Sequence, residues 1–276
     1  MDTQLVRFLE DFAAGRGRLT VLTGAGISAE SGIPTFRGPE GYWSVGSREY
    51  QPQEMGTYQM FRRMPWEVWR WYLYRWAVCA GAKPNAGHLA LAALEKDLGD
   101  RFLLITQNVD GLHLKAGNSP ERTYQIHGNI NYIRCSLQCT AAIYPLPVMT
   151  PGKTRDSVIS EAEKKLLKCP ACGGLTRPHV LWFDETYNET HFKLESSLYA
   201  ARQTDLLLVV GTSGATNLPS QVAWQVHQRG GAIVDINPEP NPFTQLALAH
   251  GKGFFVQQPS GPALPQIADI IGGALG

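Results

Sequence analysis

Four of the five cysteines in the 276-residue chain fall into two close pairs, Cys135 with Cys139 and Cys169 with Cys172. In the reduced cytoplasmic setting that we expect, two such pairs indicate one tetrahedral zinc ion rather than disulfides. Four thiolates complete the coordination shell and leave no position for a reacting water, so we expect a structural metal. Four unrelated buried thiols are the alternative. The remaining cysteine, Cys79, is interpreted as a small buried hydrophobic residue.

A glycine-rich loop follows the apolar run Leu19–Leu22 and has the pattern G-x-G-x-x-A, from Gly24 to Ala29. Glycines after a strand allow a tight turn and close approach to a pyrophosphate, whose charge the next helix N-terminus stabilises. Taken alone, the pattern is also common in ordinary turns. No acidic residue closes a second strand about 20 residues later, where residues 46–50 form a loop region, so an ordinary dehydrogenase is not expected.

Polar residues follow the other apolar runs, where parallel sheets bind their ligands. They are Gln107, Asn108 and Asp110 after one run, Gly211, Thr212 and Ser213 after another, and Asn237 and Glu239 after a third. Asp110 has a simpler alternative as a helix cap. His127 stands in an Ile-His-Gly sequence and has the side chain best suited to proton transfer near neutral pH. Without its context, His127 would be interpreted as a satisfied core histidine.

The glycine-rich loop extends into GAGISAESGIPTFRG, residues 24–38, and this stretch resembles the signature of the sirtuin family. The loop carrying Phe36 and Arg37 would close over a bound dinucleotide, with Phe36 shielding C1′ of the ribose and Arg37 contacting phosphate. The resemblance implies NAD contacts from Gly24, Ala25, Gly26, Ser28, Phe36, Arg37, Gln107, Asn108, Asp110, Gly211, Thr212, Ser213, Asn237, Glu239 and, in a late loop, Ser260.

The same resemblance implies a reaction in which NAD and an acylated lysine give nicotinamide, free lysine and O-acyl-ADP-ribose. His127 matches the family's catalytic histidine and would act as the general base on a ribose hydroxyl. Residues 177–185 resemble the family's substrate strand, in which Val180, Trp182 and Phe183 would line the acyl-lysine channel. Asp184 replaces a glycine that is more usual there, which leaves the backbone of that loop uncertain. Sirtuins also carry a zinc ribbon at the position of the four paired cysteines.

Tyr72 and Arg75 are three residues apart in the aromatic segment 71–76 and would share one face of a helix. A phenol beside a guanidinium can bind a carboxylate, with the guanidinium able to make two parallel hydrogen bonds. This Y-x-x-R pattern resembles the sirtuin class that removes succinyl and malonyl groups. A plain aromatic core helix, with Arg75 extending to water, is the alternative.

The elements that would position these residues alternate between strands and helices. Strands are predicted at Leu19–Leu22, Phe102–Ile105, Leu206–Val210 and Ala232–Ile236, and helices within residues 1–18 and at Ala86–Leu98, Leu194–Gln203 and Pro219–Gln228. This alternation predicts an α/β fold: a Rossmann-like, doubly wound parallel sheet with a smaller inserted zinc-ribbon and helical domain. We expect the core at about 1–35, 84–130 and 180–276, and the inserted domain at about 36–83 (helical) and 131–179 (zinc ribbon).

The formal net charge of +1 gives no indication of nucleic-acid binding, and no apolar run reaches the roughly 20 residues needed to cross a membrane. The expected partners are acyl-lysine proteins or peptides, and the expected compartment is the cytoplasm. Other functions stay open: deacetylation without a preference for acidic acyl groups, ADP-ribosyl transfer or NAD hydrolysis, NAD sensing without catalysis, and partner docking through the zinc ribbon. The sequence does not determine the oligomeric state.

Overall fold

A six-stranded parallel sheet forms the centre of the computed structural model, which describes residues 1–35, 52–249 and 251–275. Its strands are β1 (Leu19–Thr23), β2 (Phe102–Thr106), β3 (Thr123–Gln125), β7 (Leu206–Val210), β8 (Ala232–Ile236) and β9 (Phe254–Val256). They lie side by side in the order β3-β2-β1-β7-β8-β9. Numbered within this sheet alone, the order is 3-2-1-4-5-6, that of dinucleotide-binding folds. The strand order reverses between β1 and β7, which pair in register from Leu19 with Leu206 to Thr23 with Val210.

Helices cover both faces of this sheet because successive side chains of a strand point to opposite faces. Leu206, Leu208 and Val210 pack on one side, against α1 (Thr3–Ala14), α6 (Ala86–Leu98) and α13 (Ser260–Gly273). Leu207 and Val209 pack on the other side, against α10 (Leu194–Ala201), α11 (Asn217–Gln228) and α12 (Pro242–Leu248). The central strand β7 is therefore apolar along its whole length, which is why it reads as a continuous run in the sequence.

A smaller antiparallel sheet has the order β5-β4-β6. It consists of β4 (Gly128–Cys135), β5 (Ile143–Pro145) and β6 (Thr176–Val180). Beside it lie α3 (Pro52–Met55), α4 (Tyr58–Arg63), α5 (Pro65–Gly81) and α8 (Glu161–Leu166). The remaining helices of the described chain are α2 (Gly26–Ala29), α7 (Leu112–Ala116) and α9 (Glu189–Phe192), with a 3₁₀ turn at Gly99–Arg101.

The helical segment 52–81 and the segment that contains the paired cysteines share one hydrophobic core. Trp69 of α5 is almost fully buried with Ile133 of β4 and Met149, and its indole N–H donates to the Thr176 carbonyl of β6 at 2.9 Å. The two segments are far apart in sequence but stabilise each other through this core. The domain boundaries expected from the sequence stay a prediction.

The observed elements confirm the α/β class and sharpen several boundaries. The N-terminal helix covers Thr3–Ala14, because the Asp2 carboxylate accepts hydrogen bonds from Gln4 N and Leu5 N and so begins it. The helix expected from Pro219 begins earlier, at Asn217. Ser260 was expected in a loop, but it is the first residue of α13. Among the described helices, none is both long and apolar enough to cross a bilayer.

Candidate functional site

A cavity of about 1050 Å³ opens where β1, β2, β7 and β8 end. This is the edge of the sheet at which the strand order reverses and where open α/β folds bind ligands. The cavity wall includes every candidate contact residue in the described chain: Gly24, Ala25, Gly26, Ser28, Tyr72, Arg75, Gln107, Asn108, Asp110, His127, Val180, Trp182, Phe183, Gly211, Thr212, Ser213, Asn237, Glu239 and Ser260. The other two, Phe36 and Arg37, lie outside the described residues, as do residues 46–50.

Two glycine-containing loops interlock at the floor of this cavity. The Gly26 N–H donates to the Gly211 carbonyl at 2.8 Å. A Cβ on Gly24 would lie 2.7 Å from that carbonyl, and a Cβ on Gly26 would lie 2.6 Å from the Gly211 Cα. Gly211 itself has φ +60°, a conformation that favours glycine. The glycines therefore allow the ends of β1 and β7 to touch, which is a different reason for glycine than the expected approach to phosphate.

The helix after the glycine-rich loop is shorter than the phosphate-binding pattern suggests. α2 has only four residues, so its dipole is small. Its Ser28 is instead part of a buried polar network: the Ser28 hydroxyl donates to the Asp110 carboxylate at 2.8 Å, and the Asn108 amide donates to Ser28 Oγ at 3.2 Å. Burial raises the pKa of Asp110. The Asp110 carboxylate also accepts from N of Leu112, the first residue of α7, at 2.8 Å, although the N-cap residue itself is Gly111.

Gln107 reaches the cavity, but its amide is engaged within the protein. It donates to the Thr23 carbonyl at 3.2 Å and to Thr212 Oγ1 at 2.9 Å, and it accepts from Thr216 Oγ1 at 2.8 Å. These three bonds tie the end of β2 to the end of β1 and to the loop after β7. The side chain therefore stabilises the cavity floor, and any contact that Gln107 makes with a ligand must be made in addition to these three hydrogen bonds.

Asn237, at the end of β8, is oriented by a buried carboxylate. Asp235 is fully buried and accepts hydrogen bonds from the Asn237 amide, the Asn241 amide and the Thr244 hydroxyl. Burial raises the pKa of Asp235. Glu239 lines the cavity two residues later. The pair Asn237 and Glu239 therefore lies in the cavity wall, at and just after the end of β8.

His127 lies between the two sheets and faces the cavity. The Leu181 N–H donates to its carbonyl at 2.9 Å. The following residue, Gly128, has φ +84°, and a Cβ there would lie 2.1 Å from the His179 carbonyl. The glycine of the His-Gly dipeptide is therefore required by the close approach of β4 to β6. Burial lowers the pKa of His127 to about 4, while a hydrogen bond with the Gln107 backbone opposes this shift. His127 is therefore neutral at pH 7 and able to accept a proton.

Tyr187 is a cavity residue that the sequence analysis missed. Its hydroxyl lies 2.8 Å from Nε2 of His127, although 60 residues separate the two in sequence. The only signal in the sequence is a phenol two residues after Glu185, at the end of the stretch that resembles the substrate strand.

The other end of the cavity brings together the residues assigned to the acyl group. The Trp182 indole N–H donates to the Tyr72 hydroxyl at 2.9 Å and thereby fixes the position of that oxygen. Arg75 is half-buried and lies on the same helix face as Tyr72. Val180 ends β6 and is buried, whereas Phe183 is exposed at the cavity wall.

Asp184, which replaces the expected glycine, has a clear structural role. Its carboxylate accepts from Tyr58 N at 2.7 Å and Gln59 N at 3.0 Å, at the start of α4. The next residue, Glu185, pairs with Arg177 and accepts from Trp182 N at 3.0 Å. The loop after β6 is therefore held by two adjacent carboxylates.

The four paired cysteines form a compact cluster whose sulfur atoms all lie within 4.8 Å of one another. Sγ of Cys135 is 3.6 Å from that of Cys172, and Sγ of Cys139 is 3.7 Å from that of Cys169. A tetrahedral zinc ion with Zn–S bonds of about 2.3 Å requires S···S separations of about 3.8 Å, so the cluster fits one zinc ion. Cys135, Cys139, Cys169 and Cys172 would hold the ion with four thiolates, which would close it to substrate and would tie the hairpin after β4 to the turn before β6.

Comparison with known proteins agrees with this site. The model of the Sir2 family matches residues 24–217. A Leptospira interrogans protein named NAD-dependent protein deacylase is 40% identical over 251 residues, 91% of each chain. A solved complex of a Sir2 homologue with NAD has a TM-score of 0.80 at 33% identity, covering 100% of this chain and 96% of that one. A Sir2–p53 peptide–NAD⁺ complex has a TM-score of 0.74 at 26% identity, covering 98% of each chain. The sequence matches extend over most of the chain, and they show that the chain belongs to the Sir2 family, the sirtuins.

Proposed function

We propose that this sirtuin, an NAD-dependent protein deacylase, prefers acidic acyl groups such as succinyl and malonyl on lysine side chains. The products would be nicotinamide, free lysine and O-acyl-ADP-ribose. The observation that carries the preference is the position of Tyr72 and Arg75, which line the same cavity as His127. An acyl chain that reaches from the reacting centre into this end of the cavity would meet a guanidinium and a phenol at its far end.

The chemistry of these two side chains suits a carboxylate. A guanidinium binds a carboxylate through two parallel N–H···O bonds, and such charge-assisted bonds are about twice as strong as neutral ones. The Tyr72 oxygen accepts the indole hydrogen of Trp182, so its own O–H is the group through which it can donate. An acetyl group has no terminal carboxylate for these two side chains to bind, but it would still fit the cavity.

NAD, when bound, supplies a ribose whose C1′ carries nicotinamide as a leaving group. We assign the base to His127, whose imidazole is neutral at pH 7 and so can take the proton of a ribose hydroxyl at Nε2. We assign the nicotinamide ribose and carboxamide region to Asn108 and Asp110, which meet through Ser28. We assign the adenosine side to Thr212, with the other predicted contacts beside it: Gly24, Ala25, Gly26, Gln107, Gly211, Ser213, Asn237, Glu239 and Ser260.

The expected partner is a protein or peptide that carries an acylated lysine. Phe183 is exposed beside the cavity and its N–H donates to the Gly56 carbonyl at 2.9 Å, so the loop after β6 borders the entrance. A peptide entering there would bring its lysine past Val180 and Trp182. The solved Sir2 complex with a p53 peptide supports this class of partner.

The test is mass spectrometry of one lysine peptide offered separately in acetyl, succinyl and malonyl forms, with and without NAD. We expect NAD-dependent loss of succinyl and malonyl to be faster than loss of acetyl. Faster loss of acetyl would show that Tyr72 and Arg75 do not act as a carboxylate receptor. The protein would then be a deacetylase without a preference for acidic acyl groups. Release of nicotinamide without loss of any acyl group would instead indicate ADP-ribosyl transfer or NAD hydrolysis.

A further inference from the structure

The predicted reaction does not use the hydrogen bond between Nε2 of His127 and the Tyr187 hydroxyl, whose atoms are 2.8 Å apart. The Tyr187 ring also lies beside the imidazole, with ring centroids 5.8 Å apart and planes inclined by 33°. Tyr187 also packs against the hydrophobic core that includes Ile126, Ala201 and Leu207. Tyr187 is therefore wedged between a hydrophobic core and the base.

The backbone on both sides of Tyr187 is fixed. Two residues earlier, the Glu185 carboxylate accepts a hydrogen bond from the buried Arg177 guanidinium at 2.8 Å. One residue later, Asn188 caps α9, and its side chain accepts from His191 N at 2.8 Å. A tyrosine held at both ends in this way contacts His127 because the chain places it there, and its hydroxyl is not a loosely tethered surface group.

The protonation states decide the direction of this bond. Burial raises the pKa of Tyr187 far above its usual value, so the phenol keeps its proton. The backbone contact from Gln107 raises the pKa of His127, and only a carbonyl acceptor can do so, because it favours a protonated ring nitrogen. Because Nε2 faces Tyr187, we assign the Gln107 carbonyl as the acceptor of a hydrogen bond from Nδ1–H of His127. Nε2 then carries the lone pair, and the Tyr187 hydroxyl donates to it.

We propose that Tyr187 is a positioning residue that holds His127 in the tautomer whose Nε2 lone pair faces the cavity. This proposal rests on the proposed function for its chemical meaning. When substrates bind, the ribose hydroxyl replaces the phenol as the donor to Nε2. The O–H bond of that hydroxyl would then break, and its proton would move to the lone pair of Nε2. Tyr187 thus keeps Nε2 of His127 unprotonated until substrate binds, and it takes no proton itself.

The first test reads the tautomer without turnover. Protein labelled with ¹⁵N-histidine is studied by NMR in the absence of ligands, and the His127 signals are assigned from their loss in His127→Ala. In the wild type we expect Nε2 to have the shift of an unprotonated nitrogen that accepts a hydrogen bond. In Tyr187→Phe, which keeps the ring and its packing, we expect that shift to move and the second tautomer to become populated. An identical His127 spectrum in the two proteins would overturn the proposal.

The second test separates the two halves of the reaction. Exchange of labelled nicotinamide into NAD requires only the step in which nicotinamide leaves C1′. Acyl removal requires in addition the step in which His127 acts as the base. In Tyr187→Phe we expect acyl removal to slow about three- to tenfold, the worth of one net hydrogen bond, with exchange unchanged. Equal losses in both would show that Tyr187 only supports folding.

The control is Tyr199→Phe, because Tyr199 is an exposed tyrosine on α10, and it should leave both rates unchanged. In a His127→Ala background, Tyr187→Phe should cause no further loss of acyl removal, since its effect passes through the imidazole. An additive loss would contradict the proposal. If the wild type removed no acyl group at all, the proposed function would fail, whereas the NMR result would still decide whether Tyr187 sets the tautomer.

Discussion

Replacing Arg75 by methionine tests the carboxylate receptor most directly. Methionine has a similar length and also suits a helix interior, so α5 should persist. A hydrogen bond to a charged group contributes about 1.5–3 kcal/mol, and the half-buried position of Arg75 favours the lower part of that range because water screens the pair. About 1.5–2 kcal/mol corresponds to a loss of roughly 10- to 30-fold in kcat/KM for a succinyl peptide.

The assay compares kcat/KM for succinyl and acetyl forms of one peptide in wild type and Arg75→Met. Acetyl removal should change less than about twofold, because an acetyl group has no carboxylate for the guanidinium to bind. The matched control is Arg70→Met on the same helix. Arg70 pairs with Glu67 and is not part of the cavity wall, so both substrates should be processed at the wild-type rate. Equal losses of succinyl and acetyl removal in Arg75→Met would refute the reasoning and give Arg75 a role in folding only.

Two further predictions concern the segment that contains the paired cysteines. Removing zinc with a chelator should lower the melting temperature by at least about 5 °C, because binding of a structural metal is coupled to folding. Circular dichroism measures this change, and an unchanged melting curve would contradict a structural ion. Burial would raise the pKa of Glu163, but its hydrogen bonds with Lys153, Ser160 and Thr150 lower it to about 2. A carboxyl whose pKa is lower in the folded state stabilises the protein above its unfolded pKa of about 4.5 and loses that effect as the pH falls toward 2. In urea unfolding, the stability advantage of the wild type over Glu163→Gln should therefore shrink by about 1 kcal/mol between pH 7 and pH 4, and a constant difference would show that the pair with Lys153 is not formed.

The sheet was predictable from sequence to the residue in two places, Leu206–Val210 and Ala232–Ile236, because strands covered on both faces are continuously apolar. The prediction for β1 stopped at Leu22, one residue short. Thr23 completes the strand because its hydroxyl finds a buried partner in Thr106, and a pairing across 83 positions leaves no local trace. The three-residue strand Phe254–Val256 gives too short an apolar run to be recognised.

In the smaller sheet, only residues 177–185, which include most of β6, were interpreted as a strand, and that interpretation came from the resemblance to sirtuins. In β4 the register shifts between Gly128 and Ile133, so its side chains do not alternate regularly between apolar and polar. Its order depends on the cysteine cluster and on Trp69, which contacts Thr176 from more than 100 positions away. Contacts of this range depend on the completed fold, and they are read from coordinates rather than from periodicity.

The cavity residues were recognised because they follow strand ends, in motifs with fixed spacing. The contacts that those residues make within the protein were not predicted. The Gln107 amide makes three hydrogen bonds with other residues, and Gly26 allows close contact with Gly211. Tyr187 was missed because no motif includes it and its partner is 60 residues away.

The helix α5 contributes to two environments at once, and this divides its positions for protein engineering. Val68, Trp69 and Leu73 are buried in the core shared with the cysteine-containing segment, and none of them lines the cavity. Tyr72 and Arg75 do line it. Tyr72 also belongs to the shared core, so a library that randomises Arg75 and keeps the buried residues would search new acyl selectivities while leaving the cysteine-containing segment its packing surface.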